Sequence, residues 1–327
     1  MAMKSITLFE NSKNSLEVSR LSLGCDYYGL ERPEEEAFRI LDTYYELGGR
    51  FLDTAHVYGQ EKAGAASHSE QTVGKWISAN GLEGKVVISD KGAHPDRNNM
   101  KVSRINEKSI REDLLSSLEA LRVDQLDIWF LHRDNPDMPV GEIVDLVSEL
   151  VDQGYIKHLG VSNWTAERIG QALTYAKEHN KHPFEISQVQ WSLAISTPDS
   201  WDDPTIVCMN DKEQDWYEET QFPVMVFSPQ AKGLFTKVIR DGAASIPEKI
   251  RRRFLLEENL GRIERCRKLS MEKDINAAGI CLSYLTSAPF PVMPIIGCSS
   301  PQQVKDSMEF ADIVLNESER EFLIRES

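Results

Sequence analysis

Residues 51–59 read Phe51-Leu52-Asp53-Thr54-Ala55-His56-Val57-Tyr58-Gly59. Two apolar side chains lead to a carboxylate, and a glycine follows the tyrosine. This is the composition of a short buried strand that ends on an ionisable group and passes into a loop. The figure recurs downstream. Ile88-Ser89-Asp90-Lys91 ends on an amine, and Trp129-Phe130-Leu131-His132 ends on an imidazole. Working outward, short apolar runs predict strands at Leu21–Gly24, Arg50–Asp53, Val86–Asp90, Asp127–Leu131, His158–Val161, Ile186–Gln190, Val224–Phe227 and Val292–Ile296.

Helical periodicity fills the gaps, at Glu34–Leu47, Glu70–Ala79, Asn106–Leu121, Val140–Gln153, Ala166–Glu178, Glu248–Met271 and Asn276–Leu285. Pro33 suits a helix start, Gly48-Gly49 a stop, and Thr165 an N-cap. Strands alternating with helices imply a parallel sheet. Reaching eight favours an α/β fold of the (β/α)8 TIM-barrel type over an open sheet. The segment Ile6–Ser19 precedes the first strand and reads as an N-terminal β-hairpin, with Asn14 near its turn, placed to plug the N-terminal mouth. Ala194–Asp215, polar and containing Trp201, reads as a long loop at the C-terminal face, of the kind that forms a lid or binding loop. No linker divides the chain, so residues 1–327 are expected to form one domain.

The formal net charge of −15 argues against a phosphate-binding footprint, and so against nucleic acid and anionic membranes as partners. No apolar stretch reaches the ~20 residues of a membrane span, and Met1–Glu10 lacks the pattern of a secretory signal. Five dispersed cysteines without CxxC spacing suit a reducing cytoplasm, and no metal signature appears. Monomer and homo-oligomer both remain open.

In a barrel the chemistry sits where strands end at the C-terminal face. Asp53, Tyr58, Lys91 and His132 all fall there. Reducing a carbonyl requires an acid for the developing alkoxide. A phenol with a neighbouring ammonium is expected to titrate below its ordinary value, which makes Tyr58 the acid and Lys91 the group that tunes it. Asp53 is available to pair with the buried ammonium. His132 is placed to polarise the carbonyl oxygen.

The stretch around Asp53 and Tyr58 resembles the D-T-A-x-x-Y-G signature of the aldo-keto reductase family. Further elements match in order: Lys91 at its strand end, Asp127–Arg133, Gly160-Val161-Ser162-Asn163, Gln188-Val189-Gln190-Trp191-Ser192, Ser228-Pro229-Gln230-Ala231-Lys232-Gly233-Leu234, and Pro294-Ile295-Ile296-Gly297. The resemblance implies a catalytic tetrad of Asp53, Tyr58, Lys91 and His132. It implies that Ser162, Asn163 and Gln188 hold the nicotinamide carboxamide and that Trp191 stacks on the ring. Ser228, Gln230 and Gly233 are implied along the diphosphate, and Gly297, Ser299, Ser300 and Gln303 at the adenosine end. Core packing is the alternative for Trp191, helix capping for Ser162 and Asn163, and satisfaction of a buried backbone group for Gln188.

Two departures stand out. Ser299 and Ser300 occupy the place where members preferring NADP carry Lys or Arg. The expected cofactor is therefore NADP(H), with weaker discrimination against NAD(H). Gly24-Cys25-Asp26-Tyr27 replaces the family's G-T-M or G-T-W, with Asp26 a candidate ribose contact and Tyr27 a candidate pocket wall. The expected activity is NAD(P)(H)-dependent oxidoreduction of a small carbonyl or alcohol. Arg133 and Asp134 at the rim, with Trp201 and Trp216 to cover a ring face, point to a polar, sugar-like substrate. A cofactor-binding regulatory subunit with little turnover, and a barrel enzyme using Lys91 for a Schiff base, are the alternatives.

Overall fold

The short Val-, Ile-, Leu- and Phe-rich runs form strands because their β-branched and aromatic side chains pack on both faces of a buried parallel sheet. In the computed structural model, which describes residues 3–10, 12–61 and 65–325, they are β3 (Ser22–Gly24), β4 (Phe51–Asp53), β5 (Val87–Gly92), β6 (Leu126–Leu131), β7 (Ile156–Ser162), β8 (Phe184–Gln190), β9 (Val224–Phe227) and β10 (Val292–Ile296). They close into a parallel barrel in the order β10-β3-β4-β5-β6-β7-β8-β9. The eight predicted strands are these eight, β9 and β10 with the predicted bounds and the others shifted by a residue or two at one end or both. The largest shifts carry β5 through Lys91 to Gly92 and begin β7 at Ile156 and β8 at Phe184.

The expected hairpin is present. β1 (Ser5–Leu8) and β2 (Leu16–Ser19) pair antiparallel, with Leu8 opposite Leu16. Leu8, Leu16 and Val18 pack into the barrel floor with Phe51, Ile128, Phe130, Ile186, Met225 and Met293. Phe9 stacks on His158 at 3.9 Å, and His158 Nε2 donates to the Asn14 carbonyl at 2.8 Å, so the hairpin seals the N-terminal mouth.

The outer layer holds α1 (Glu34–Glu46), α2 (His68–Asn80), α3 (Glu107–Leu121), α4 (Val140–Asp152), α5 (Ala166–Glu178), α6 (Asp211–Thr220), α7 (Leu234–Asp241), α8 (Glu248–Phe254), α9 (Glu257–Lys273), α10 (Ala277–Thr286), α11 (Pro301–Met308) and α12 (Glu317–Ile324). Thr165 caps α5, its hydroxyl accepting from the Arg168 N–H, so neither Ser162 nor Asn163 serves as that cap. The single helix expected over Glu248–Met271 is two, α8 and α9, broken at Leu255-Leu256. Helices α6, α7, α11 and α12 lie outside the seven helical stretches expected from the sequence.

The Ala194–Asp215 stretch is not a bare loop. It contains a 3-10 turn at Pro198–Trp201 and the start of α6, whose Asn210 cap accepts from the Glu213 N–H. Trp201 is buried against Phe227 and Phe254 beneath the Arg253 guanidinium, which lies 4.2 Å from its ring. Among the described residues, no helix is long and apolar enough to cross a membrane. The five cysteines are buried and free.

Candidate active site

β4, β5 and β6 end side by side, with Asp53 opposite Ser89 and Lys91 opposite Phe130 in register. Parallel pairing therefore brings the three strand-end groups together at one mouth. The Lys91 side chain is wholly buried. Its Nζ donates to Asp53 Oδ2 at 2.8 Å and to the Thr54 carbonyl at 2.6 Å, and lies 4.9 Å from the centre of the Tyr58 ring. Asp53 Oδ1 accepts from Ser89 Oγ and from Gln188 Nε2, each at 2.9 Å. Gln188 therefore holds the Asp53 carboxylate.

Burial works against the Lys91 ammonium, but Asp53, Tyr58 and Asp90 more than offset it, so the group is held above its ordinary value. A Schiff-base nucleophile must be a neutral amine open to the substrate, whereas Lys91 is held as an ammonium and does not line the cavity.

Tyr58 differs from expectation. Burial pushes its phenol up to about 12, and Lys91 only partly opposes this while Asp53 and Asp26 add to it. The ammonium is neutralised by Asp53 at contact distance, so little net field reaches the hydroxyl. The phenol is consequently protonated throughout the neutral range, which suits a proton donor.

The His132 ring lies edge-on to Tyr58, centres 5.7 Å apart. Burial, then His94, Arg133 and Lys91, hold it well below the ordinary histidine value, so it is neutral at pH 7. Its Nδ1 is buried without a hydrogen-bond partner in the protein.

Asp53, Tyr58 and His132 floor a cavity of about 710 Å³ that runs along the C-terminal face. Ser162, Asn163, Gln188, Ser228, Gln230, Gly233, Gly297, Ser299 and Gln303 line it, as do Asp26 and Tyr27. The Ser228–Gly233 turn carries positive φ at Ser228, Ala231, Lys232 and Gly233, a strained conformation of the kind that persists at ligand clamps. A Cβ on Gly297 would meet no protein atom within 4 Å, so the backbone there is open to close approach.

Trp191 and Ser300 are not brought to the cavity. Trp191 is stacked on Phe290 at 5.6 Å and abuts Tyr284 within the core. Ser300 caps α11, its hydroxyl accepting from the Gln303 N–H, and the Gln303 Oε1 in turn accepts from Ser299. Phe227, at the end of β9 beside Ser228, does line the cavity, as do Tyr27, Tyr58 and Trp201. The strand-end rule used for Asp53, Lys91 and His132 would have found it had it been applied to the seventh barrel strand.

Other lining residues went unread: His94 and Arg97 from the loop after β5, Ile206 from the insertion, and Arg32. Arg32 donates to the Cys298 carbonyl at 2.6 Å, which sets a cation beside the terminal motif. Arg133 and Asp134 do not pair with each other. Arg133 reaches Asp203 at 3.1 Å and Thr205 on the insertion, whereas Asp134 is taken by Arg168. Trp216 packs against Tyr217 and Phe222, outside the cavity. No group of ligands suited to a metal ion occurs among the described residues.

Comparison with known proteins gives a consistent picture. The family model described as "Aldo/keto reductase family" matches residues 20–323. An uncharacterized oxidoreductase of Bacillus subtilis is 27% identical over 310 residues, covering 93% of this chain and 90% of its own. The aryl-alcohol dehydrogenase [NADP(+)] of Phanerodontia chrysosporium is 28% identical over 337 residues (94% and 81%). Norsolorinic acid reductase of Aspergillus flavus is 26% identical over 329 residues (94% and 78%).

Proposed function

The chain belongs to the aldo/keto reductase family of oxidoreductases, and from that premise we propose that it interconverts a carbonyl compound and its alcohol with Tyr58 as general acid. The observation that carries this reading is the wholly buried Lys91–Asp53 pair set against Tyr58, in one mouth with a neutral His132. The cleft fits an extended dinucleotide: amide and hydroxyl groups at one end, the strained Ser228–Gly233 turn along it, and an open Gly297 backbone at the other. Such a cofactor, when bound, supplies hydride exchange with the carbonyl carbon. Ser162, Asn163 and Gln188 would face its amide, and Phe227, rather than Trp191, would offer the stacking face.

The chain's own residues handle the oxygen. His132, neutral, donates an N–H to the carbonyl oxygen and polarises it. Tyr58 passes its phenolic proton to that oxygen as the C–O double bond becomes single. Lys91, held against the Tyr58 ring by Asp53, favours the tyrosinate left behind, in opposition to burial and to the Asp53 charge. In the reverse direction the same oxygen takes the proton back from the alcohol. Tyr58→Phe tests this. It is expected to lower kcat for an aromatic aldehyde by about a hundredfold or more while leaving NADPH binding near wild type. Wild-type turnover by this variant would refute the assignment.

NADP(H) is the proposed cofactor, as the name of the Phanerodontia chrysosporium relative suggests, with modest discrimination against NAD(H). Arg32 supplies a cation beside Cys298, but the Asp306 carboxylate also acts on that residue. Ser299 lines the cleft whereas Ser300 is committed to its cap, so Ser299→Arg is the informative change. Its charged fork is expected to raise NADPH affinity about tenfold, equivalent to ~1.4 kcal/mol, with NADH affinity nearly constant. Equal gains for both cofactors in fluorescence titrations would oppose this view of the adenosine end. The free thiols and acidic surface support a cytoplasmic location.

A further inference from the structure

Two arginines line the cavity near Tyr58 and His132, and they are held differently. Arg133 is almost wholly buried. Its Nε donates to Thr205 Oγ1 at 2.9 Å, one terminal nitrogen to the His132 carbonyl at 2.8 Å, and the other to Asp203 at 3.1 Å. Every guanidinium nitrogen has a partner, and its charge is matched.

Arg97 is not matched. Its single hydrogen bond in the structure runs from one terminal nitrogen to the Val57 carbonyl at 2.9 Å, one residue from Tyr58. It forms no ion pair among the described residues. The neighbouring Asp96 carboxylate is turned to the Asn98 N–H at 2.8 Å.

Arg97 is exposed at the cavity rim, and the wall behind it, around His94, is fixed. The His94 ring Nδ1 donates to the Pro95 carbonyl at 2.6 Å, which directs its other nitrogen away from that bond. Arg104 donates to the His94 carbonyl and is itself clamped by Asp113 at 2.6 Å. The His94 ring packs edge-on to His132 at 4.6 Å. Burial, then Arg133, lowers His94 to about 3, so both imidazoles are neutral at physiological pH. Near the carbonyl site, Asp53 is neutralised by Lys91 and Arg133 by Asp203. The Asp26 carboxylate also acts on Tyr58 and is itself offset in part by Lys232, so the cation beside Tyr58 and His132 that no carboxylate matches is the Arg97 guanidinium.

We propose that the substrate is a carbonyl compound bearing an anionic substituent, a carboxylate or a group of like geometry, which Arg97 receives beside the Tyr58 hydroxyl. The inference rests on the oxidoreductase reading above and names the substrate class of that site. A guanidinium fork matches a carboxylate in shape as well as charge, and one already tethered to Val57 loses little freedom on binding. The acidic surface of the whole chain does not forbid this, because a local cation near low-dielectric walls dominates the field inside a cleft.

The test compares aldehydes that differ only in charge. 3- and 4-Carboxybenzaldehyde are set against their neutral carboxamide counterparts in wild type, Arg97→Gln and Arg97→Lys, with NADPH consumption as the readout. For the better-fitting isomer, the wild-type ratio of kcat/KM, acid over amide, is expected to be about tenfold or more, collapsing toward one in Arg97→Gln and surviving in part in Arg97→Lys. A loss confined to tethering the Val57 loop would lower both substrates equally and leave the ratio unchanged, which would overturn the proposal. So would a wild-type ratio near one.

A second measurement does not depend on turnover. Benzoate and benzamide are titrated against the protein–NADP+ complex by tryptophan fluorescence. If no aldehyde is reduced, the oxidoreductase reading fails. Preference for benzoate in wild type, lost in Arg97→Gln, would still uphold the anion site, and equal affinities would refute it.

Discussion

Asp90 and Lys91 are neighbours on β5 and are equally buried, but they face opposite sides of the barrel wall. Lys91 points inward to Asp53 and Thr54. Asp90 points outward, toward the helix layer, where Glu70, His56 and Asp113 are also buried. The inner pair stays charged, because each member is the other's counter-ion and Ser89 and Gln188 satisfy the remaining carboxylate oxygen. In the outer group, burial pushes the Asp90 carboxyl well above the carboxylate range, with the nearby Glu70 adding to it. Burial likewise raises Glu70 to about 7, although Ser117 donates to it at 2.6 Å. His56 lies 3.6 Å from both Glu70 and Asp113, and Asp113 is claimed by Arg104. At the same depth in the molecule, partners decide whether a group is an ion or a neutral donor.

The strongest way to break this comparison is to remove the inner cation. Lys91→Met leaves the Asp53 carboxylate buried and alone. It is expected to cost about 3–5 kcal/mol of stability and to abolish most turnover. Adding Asp53→Asn should restore much of the denaturation midpoint but none of the rate, since the buried charge is gone while the phenol remains unsupported. A double variant no more stable than the single one would mean that packing, not charge, holds the pair.

The outer group is sharpened by pH. Folding raises Glu70 from its ordinary 4.5 to about 7, so the folded state holds that proton more tightly than the unfolded chain. Its contribution to stability is fully present below about pH 4.5 and is lost as the pH rises to about 7, on the order of 3 kcal/mol in all. His94 and His132, neutral in the fold, act in the opposite sense: stability is lost as pH falls below the ordinary histidine value. Glu70→Gln removes only the first effect. Urea midpoints for this variant should exceed wild type at pH 8 and converge with it near pH 5. A constant offset at both pH values would show that Glu70 does not titrate there.

The smallest change should come from Asp90→Asn. A neutral carboxyl and a carboxamide are close in shape and both donate a hydrogen bond, so thermal unfolding at pH 7 should move by less than about 1 kcal/mol. A loss of several kcal/mol would reveal an ionised Asp90 instead, and the contrast along β5 would disappear.

The sequence by itself determined the eight strands, their order, the plugging hairpin and the four groups at the strand ends. Those features depend on local pattern: apolar runs set the strands, and in a parallel barrel strand ends must share one mouth. What the sequence left to be decided involved residues distant along the chain. Trp191 and Phe227 are both aromatics at the ends of neighbouring strands, and only packing against Phe290 drew one into the core while the other lines the cleft. Ser299 and Ser300 are chemically identical, yet the start of α11 claimed the second as its cap. The insertion is held over the cleft by Asp203 meeting Arg133, 70 residues away. The protonation of Tyr58 turned on the sum of burial, a cation and that cation's own counter-ion, contributed by separate strands. Electrostatic and packing energies depend on distance in space, and the tertiary fold sets those distances.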